Sequence, residues 1–107
     1  MKDSSISGFF EKSRKERLDI LAKFANLTEE ERKILDASGG IGFDQADKMV
    51  ENAVGTFSFP LGIATNFLIN KKEYLVPMAI EEPSVIAAAS KAAKIARSEE
   101  HTSELQS

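Results

Sequence analysis

The first half of the chain alternates between polar capping motifs and short apolar stripes with helical spacing. Ser13 and Glu16 form the S-x-x-E pattern of a capping box, in which each side chain satisfies a backbone N–H group of the other residue. The amphipathic helix predicted after this box has its apolar positions at Leu18, Ile20, Leu21, Phe24 and Ala25. Thr28 and Glu31 repeat the box before a second helix, which is expected to end at Gly39.

A third helix is predicted between Asp44, which suits its N-cap, and a stop at Gly55. Its apolar positions recur at i, i+3, i+4 and i+7 and are Ala46, Met49, Val50 and Ala53. Together, the three helices are expected to form a compact lead-in to the rest of the chain.

The hydrophobic period then changes to two, which is typical of strands. Residues 63–70 alternate, a polar turn covers residues 70–73, and residues 74–80 alternate again, so an antiparallel hairpin is predicted. Pro77 has no N–H to donate and indicates an edge strand or a bulge. From Pro83 onward the pattern predicts a helix, and its many alanines lead us to expect that it is largely buried. The predicted fold class is therefore α+β.

Composition narrows the possible chemistry. A chain of 107 residues is at most one small domain, and without cysteine it has no disulfides, thiolate metal sites or thiol nucleophiles. No apolar stretch is long enough to span a bilayer, so no membrane partner is predicted. The N-terminus has no apolar core of signal-peptide length, which makes a cytoplasmic location the expectation.

The end of the chain, RSEEHTSELQS, resembles one reading frame of a sequencing adapter translated into protein. We therefore expect residues 1–97 to be native and residues 98–107 to be a read-through tail, with Arg97 assignable to either part; a natural solvated tail is the alternative. Removing the tail takes three of the 17 acidic residues and changes the net charge from −3 to zero. The chain's single histidine, His101, also lies there, so no metal site is predicted.

Two further kinds of site are not predicted. The chain has no G-x-G-x-x-G or G-x-x-x-x-G-K-[ST] pattern, and the glycines of SGGIGF favour a helix end followed by a loop. A basic cluster, formed by Lys12, Arg14, Lys15 and Arg17, is interrupted by Glu16. It favours a solvated helix face over a nucleic-acid patch, with contact to an anionic ligand as the lesser option.

Glu81 and Glu82 stand directly before Pro83, at the junction of the predicted hairpin and last helix. Proline disfavours helical geometry in the residue before it, so Pro83 is expected at the first helical position and Glu82 at the cap. On the structural interpretation both glutamates are helix-start acids, stabilised by about 0.3–1 kcal/mol through the helix dipole. On the functional interpretation one of them is a catalytic carboxyl group held between a strand and a helix.

Three ordered segments carry a family resemblance: ENAVG at residues 51–55, PLGIA at residues 60–64 and EEPSV at residues 81–85. They resemble the E-N-V-I-G dimerisation element, the P-x-G-x-A element and the catalytic-glutamate segment of class II 3-hydroxy-3-methylglutaryl-coenzyme A (HMG-CoA) reductase, the bacterial and archaeal form. Residues 51–97 are closely similar to the N-terminal part of that family, and the helical lead-in fits it in pattern.

The resemblance implies a role for each matching residue. Glu82 is implied to be the catalytic glutamate and Ser84 a substrate-binding serine. Glu51, Asn52 and Gly55 are implied to lie in a dimer interface, while Glu81 keeps its structural interpretation. The reaction implied is the interconversion of HMG-CoA with mevalonate and coenzyme A, in a homodimer or higher homo-oligomer. A lysine, an aspartate and a histidine from elsewhere share the proton chemistry, and NADH or NADPH binds to a domain absent from this chain.

The chain also departs from the family pattern. Lys71 stands where the family often has glycine in an Asn-Gly turn, which suggests a slightly different turn. The partner lysine, aspartate and histidine are absent before Arg97, so the chain is expected to be an inactive fragment of the large, substrate-binding domain. The alternative is a small non-catalytic α+β interaction domain, in which ENAVG is only a helix end and EEPSV only a helix start.

Overall fold

The computed structural model describes residues 2–106 of the chain, with side chains for residues 2–99. The helices and strands, in chain order, are a 3-10 helix (Phe9–Glu11), α1 (Arg14–Ala25), α2 (Glu29–Asp36), α3 (Phe43–Met49), β1 (Leu61–Ile69), β2 (Lys72–Ala79) and α4 (Val85–Gln106). This is the α+β architecture that the sequence predicts. His101 and the side chains of the expected tail from residue 100 onward lie outside the described residues.

Both predicted capping boxes are confirmed. At the start of α1, Ser13 Oγ accepts a hydrogen bond from the Glu16 N–H at 3.2 Å, and the Glu16 carboxylate accepts one from the Ser13 N–H. Thr28 and Glu31 repeat this arrangement at the start of α2. The hydrogen bond from the backbone N–H of Ser13 or Thr28 lowers the pKa of the glutamate in each box.

The third helix is shorter than predicted. α3 begins after Gly42, which makes no side-chain cap bond, so the expectation that Asp44 caps this helix is wrong and Asp44 lies in the first turn. The helix ends at Met49 because Val50 is extended, with φ −136° and ψ 154°. Asn52 then adopts a left-handed φ of 58°, which keeps Ala53 and Gly55 out of the helix.

The expected compact lead-in is also wrong. None of the residues of α1 and α2 is buried, and in α3 only Ala46 is. α1 and α2 are joined at their ends, since Arg14 Nη2 donates to the carbonyl oxygen of Asp36 at 2.8 Å. The apolar side chains of Ile34, Phe43 and Met49 are 56%, 47% and 65% exposed, so no shared core draws the three helices together.

The predicted hairpin is confirmed. β1 and β2 pair in antiparallel register from Leu61 opposite Ala79 to Ile69 opposite Lys72. The two-residue turn between them has left-handed backbone at both positions, with φ 51° at Asn70 and 66° at Lys71. This is the turn geometry that suits the twist of a hairpin and that normally selects glycine at the second position.

The hairpin is irregular at two places. The register shifts between Ala64 and Phe67, where Asn66 has φ 71°, so the bulge lies on β1. Pro77 is paired with Ile63 and lies on β2, which has β1 as its only strand neighbour among the described residues. The edge position predicted from this proline is therefore confirmed.

α4 packs against β1, where Ala64 of the strand and Ala93 of the helix are both buried. The expectation of a largely buried helix is wrong for this chain, because its other faces are exposed. The exposed residues of those faces include Ala87, Ala88, Ala92, Ile95 and Ala96. The hairpin covers only one side of the helix, and no described element packs against the opposite side.

A polar cluster joins the start of the chain to the hairpin and to α4. Arg97 Nη2 lies 2.7 Å from Glu73 Oε2, and Arg97 Nη1 donates to the carbonyl oxygen of Asn66 at 3.1 Å. Ser4 is fully buried, with its hydroxyl 2.8 Å from Glu73 Oε1. We call Ser4, Asn66, Glu73 and Arg97 the Arg97 cluster.

Candidate active site

The segment between β2 and α4 carries the two glutamates, and its local structure differs from the prediction. α4 begins at Val85, and the first helical hydrogen bond runs from the Ala88 N–H to the carbonyl oxygen of Ser84 at 2.9 Å. Pro83 is therefore not the first helical residue, and Glu82 is not the cap. The reason is Ser84, whose φ of 73° is left-handed and incompatible with a helix that starts at Pro83.

Both candidate carboxylates face solvent. Glu81 and Glu82 are exposed, as is Ser84, and within the described residues neither glutamate has a hydrogen bond or an ion pair. An unpaired carboxylate is able to exchange a proton with a bound molecule, but catalysis also needs neighbours that exclude water and set its geometry. Those neighbours are not supplied by the described part of this chain.

The backbone around the glutamates is held on both sides. On the strand side, the Ile80 N–H donates to the carbonyl oxygen of Pro60 at 3.2 Å. On the helix side, Ile86 packs onto Gly62 so closely that a Cβ atom at position 62 would collide with Ile86 Cδ1. Further along, Ser90 Oγ accepts a hydrogen bond from the Thr65 N–H at 2.9 Å and fixes α4 to β1.

The residues of the implied dimer element lie on a long exposed segment between α3 and β1. Glu51, Asn52 and Gly55 are exposed, and no atom lies within 4 Å of a Cβ built on Gly55. The segment also exposes apolar side chains, with Val54 at 98% and Phe57 at 86%. Large exposed apolar surfaces of this kind mark places where another surface packs.

The two groups of predicted site residues share one end of the hairpin. The exposed segment reaches β1 at Pro60, which is bonded to Ile80 at the end of β2. The structure therefore brings the end of this exposed segment, at Pro60, beside the residue that precedes the two glutamates. Among the described residues, no hydrogen bond links Pro60's neighbour Ile80 or the glutamates to Glu51, Asn52 or Gly55.

Sequence reasoning missed two features near this edge. The first is the left-handed backbone of Ser84, for which no sequence pattern gives a signal. The second is the close approach of Ile86 to Gly62, for which a glycine within a strand is a weak signal.

A cleft of about 400 Å³ also lies between the N-terminal residues, β1 and α4. Its lining includes Ile6, Phe9, Ile63, Ile86, Ser90 and Lys94.

One residue of the basic cluster, Arg14, has a structural role. The Arg14 guanidinium donates to the carbonyl oxygens of Leu35 and Asp36, the last residues of α2. A cation at a helix C-terminus satisfies free carbonyl groups and interacts favourably with the helix dipole. This contact supports the structural interpretation of the cluster.

The described residues do not fit a dinucleotide or a metal ion. A dinucleotide site has glycines in the segment between a strand and the following helix. Between β2 and α4 this chain instead has two glutamates and a proline, and the carboxylates of the glutamates would repel a pyrophosphate. Across the described residues, no group of three or more His, Cys, Asp or Glu side chains is placed to hold a metal ion. Within the same residues no helix is both long and apolar enough to cross a membrane.

A family model and a curated relative identify the same protein family. Residues 13–106 match the family model described as hydroxymethylglutaryl-coenzyme A reductase. The 3-hydroxy-3-methylglutaryl-coenzyme A reductase of Archaeoglobus fulgidus is 60% identical over 94 residues, which are 88% of this chain and 21% of that protein. The family match reaches into residues 98–107, the expected tail.

Solved structures agree with the sequence comparison. The 3-hydroxy-3-methylglutaryl-coenzyme A reductase of Streptococcus pneumoniae superimposes with a TM-score of 0.75 at 45% identity, covering 83% of this chain and 21% of that chain. The class II enzyme of the same organism, bound to NADPH in open conformations, gives the same score and identity and is covered to 24%. This chain thus spans about a fifth to a quarter of the length of these relatives.

Proposed function

Because this chain belongs to the hydroxymethylglutaryl-coenzyme A reductase family, we propose that it forms part of the substrate-binding domain of a class II HMG-CoA reductase. The whole enzyme would interconvert HMG-CoA with mevalonate and coenzyme A. The observation that carries the proposal is the placement of Glu82 in a segment fixed on both sides, by the Ile80–Pro60 hydrogen bond and by Ile86 against Gly62.

Glu82 is proposed as the catalytic carboxyl group. Reduction of a thioester to a primary alcohol and a free thiol consumes two hydrides and two protons, and Glu82 would transfer a proton at the reacting group. NADH or NADPH, held by a part of the enzyme outside this chain, would supply the hydrides. The exposed and unpaired state of Glu82 is consistent with partners that come from elsewhere, since a lysine, an aspartate and a histidine are expected to share its proton chemistry.

Ser84 is proposed to bind the substrate beside Glu82. Its hydroxyl is exposed, and the left-handed backbone at this residue separates Glu82 from the regular start of α4. A serine hydroxyl both donates and accepts hydrogen bonds, so it suits the carbonyl and carboxylate groups of an acyl thioester.

Glu51, Asn52 and Gly55 are proposed to lie in a homodimer interface. The exposed apolar side chains of Val54 and Phe57 in the same segment support this, because a stable interface has an apolar core. The Ile80 N–H donates to the carbonyl oxygen of Pro60, so an interface on this segment would lie beside the glutamate segment, which supports a site formed between two subunits. A cytoplasmic location is part of the same proposal, since coenzyme A thioesters and reduced nicotinamides are cytoplasmic metabolites.

An incomplete domain also accounts for the exposed surfaces. The apolar residues between α3 and β1 and the alanine-rich outer faces of α4 would be covered by the remainder of the substrate-binding domain and by the second subunit. A self-sufficient interaction domain of this size would bury more of this surface, so the exposure favours the reductase. Residues 98–107 are proposed to be a read-through tail.

A chimera tests the proposal directly. This chain would replace the matching 94-residue segment of the Archaeoglobus fulgidus relative, and turnover of HMG-CoA would be followed through the nicotinamide absorbance. Glu82→Gln is expected to lower kcat by about 10²–10⁴-fold, the usual contribution of a general acid or base. Glu81→Gln removes a neighbouring exposed carboxylate and is the matched control, expected to retain turnover. Near-normal turnover in the Glu82→Gln chimera would overturn the catalytic assignment.

A further inference from the structure

Gly62 lies on β1 opposite Met78, and its Cα surface is covered by Ile86 of α4. A Cβ atom added at Gly62 would collide with Ile86 Cδ1 and would lie 3.6 Å from Ile86 Cγ1 and 3.9 Å from Ile86 Cγ2. Its φ is not left-handed, so glycine is not required here by the backbone. The requirement is the space that Ile86 fills.

Ile86 is the second residue of α4 and follows Glu82 by four positions. The other fixed point is Ile80, bonded to Pro60. Only five residues, 81–85, connect the two anchors, and two of them have little freedom. Pro83 has a ring-restricted φ, and Ser84 is held at φ 73°. With these two restrictions, a displacement of Ile86 is expected to shift Glu82 as well.

We propose that Gly62 is a positioning residue for Glu82, and that the contact of its bare backbone with Ile86 sets where α4 begins. The inference rests on the proposed catalytic role of Glu82. Catalytic groups must be held to within about half an ångström, and a misplacement of about 1 Å can cost roughly 100-fold in rate. A side chain at position 62 would thus lower turnover without touching the substrate.

Two substitutions at Gly62 differ in what they displace. In Gly62→Ala the added Cβ meets the terminal methyl of Ile86, which can turn away about its last torsion, so the effect is expected to be mild. In Gly62→Val the two extra methyl groups reach towards Cγ1 and Cγ2, which move only with the whole side chain or with the helix. Gly62→Val is therefore the variant that shifts the start of α4.

The test is a volume swap across this contact in the chimera with the Archaeoglobus fulgidus relative. Gly62→Val is expected to lower kcat at least tenfold, which is about 1.4 kcal/mol of barrier, and to raise KM for HMG-CoA by a smaller factor, because Ser84 lies between Ile86 and Glu82. Ile86→Ala alone removes the anchoring side chain without pushing the helix away, so it is expected to lower kcat less than Gly62→Val does. Combining the two conserves the volume at the contact and is expected to restore kcat to within about threefold of the unsubstituted chimera.

Three results would overturn the inference. The first is an unchanged kcat in Gly62→Val with only the melting temperature lowered, which would make the contact purely structural. The second is a double variant as slow as Gly62→Val. The third is a KM effect of Ile86→Ala that persists in the double variant, which would place Ile86 against the substrate. Gly40→Val is the matched control, because a Cβ at Gly40 has no atom within 4 Å.

A failure of the proposed function can be distinguished from a failure of the inference about Gly62. Normal turnover in the Glu82→Gln chimera would remove the catalytic role of Glu82, whatever the result at Gly62. The coupling between positions 62 and 86 would then be seen in the melting temperature and be absent from kcat.

Discussion

Arg97, near the end of the described side chains, forms an ion pair with Glu73 of β2 in which Nη2 lies 2.7 Å from Oε2. Both side chains are mostly covered, with 20% and 18% of their surfaces exposed. The hydrogen bond from Arg97 holds the pKa of Glu73 below its ordinary value; burial opposes this lowering, and the two hydrogen bonds from Ser4 add to it. The pair joins α4 to the outer strand of the hairpin.

Glu73→Gln tests the contribution of this pair to stability. The substitution leaves a mostly covered guanidinium with only the more distant carboxylate of Asp3, 3.7 Å away, so the free energy of unfolding of the 107-residue chain is expected to fall by about 1–3 kcal/mol at pH 7. Urea unfolding followed by circular dichroism measures it. Glu30→Gln, at an exposed position in the first turn of α2, is the control and is expected to change stability by about 0.5 kcal/mol or less.

Glu73→Gln is also expected to change how the free energy of unfolding depends on pH. Since the pKa of Glu73 is lowered by folding, the unfolded state binds the proton more readily, and stability rises with pH in that window. The stabilisation is present above the ordinary value of 4.5 and is lost as the pH falls through the lower, folded value. Unfolding curves between pH 7 and pH 3 should show a steeper acid loss in the original chain than in Glu73→Gln. Parallel curves would contradict the assignment.

Lys71→Gly is expected to stabilise the hairpin. Lys71 has φ 66°, a conformation that glycine adopts without the steric cost of a Cβ atom. Part of the gain is offset by the greater freedom of glycine in the unfolded chain, so we expect an increase of about 0.5–1 kcal/mol in the free energy of unfolding. Lys72→Gly, in the extended backbone of β2, is the control and should destabilise. A loss of stability in Lys71→Gly would show that the lysine side chain outweighs the backbone effect.

Ser84→Gly and Ser84→Ala separate the hydroxyl of Ser84 from its backbone. Both remove the hydroxyl, so in the chimera both are expected to raise KM for HMG-CoA by about 2–10-fold, the usual value of one hydrogen bond. Alanine, like serine, keeps a Cβ atom at φ 73°, whereas glycine relieves that strain. The melting temperature of Ser84→Gly is therefore expected to be at least that of Ser84→Ala. An unchanged KM in both would remove the substrate-binding role.

Val54→Asp tests the proposed dimer interface. Val54 is 98% exposed in this chain, and a charge there would be costly only if another surface covers it. We expect the chimera to lose its dimer, which light scattering after size-exclusion chromatography would show as a halved mass. Ile34→Asp places the same charge on the 56% exposed side chain of α2 and serves as the control. An unchanged mass in Val54→Asp would place the interface elsewhere.

Resequencing the source DNA across the codon for Arg97 tests the proposed tail. A reading frame that continues past this codon into the remainder of a reductase, in place of SEEHTSELQS, is the expected result. A confirmed SEEHTSELQS followed by a stop codon would contradict the read-through proposal.

The sequence predicted the elements whose signals are local. Capping boxes at Ser13 and Thr28 depend on residues three positions apart, and the hairpin depends on alternation next to a two-residue turn. Errors arose where the determinant is a backbone conformation at one residue. The left-handed Ser84 delays α4 by two residues, and extended Val50 ends α3 early, yet neither residue type signals this.

The site was predicted only as far as family resemblance reaches. Glu82 and Ser84 were identified from a motif, whereas the contact of Ile86 with Gly62 joins residues 24 positions apart and needs the packed structure to be seen. The burial expected for α4 failed for a different reason. An alanine-rich helix signals close packing, but no element among the described residues covers its outer faces.

The bond between Ser4 and Arg97 closes a loop of 93 residues, with Arg97 Nη1 3.2 Å from Ser4 Oγ. During synthesis, Ser4 therefore leaves the ribosome long before the last side chain that bonds to it exists. At about 5–20 residues per second, the delay is about 5–20 s. The N-terminal residues are thus made first and fully bonded last, and the edge of β1 that Ser4 covers at Asn66 stays open until the two meet. A nascent-chain chaperone that shields this edge would protect the hairpin during that interval.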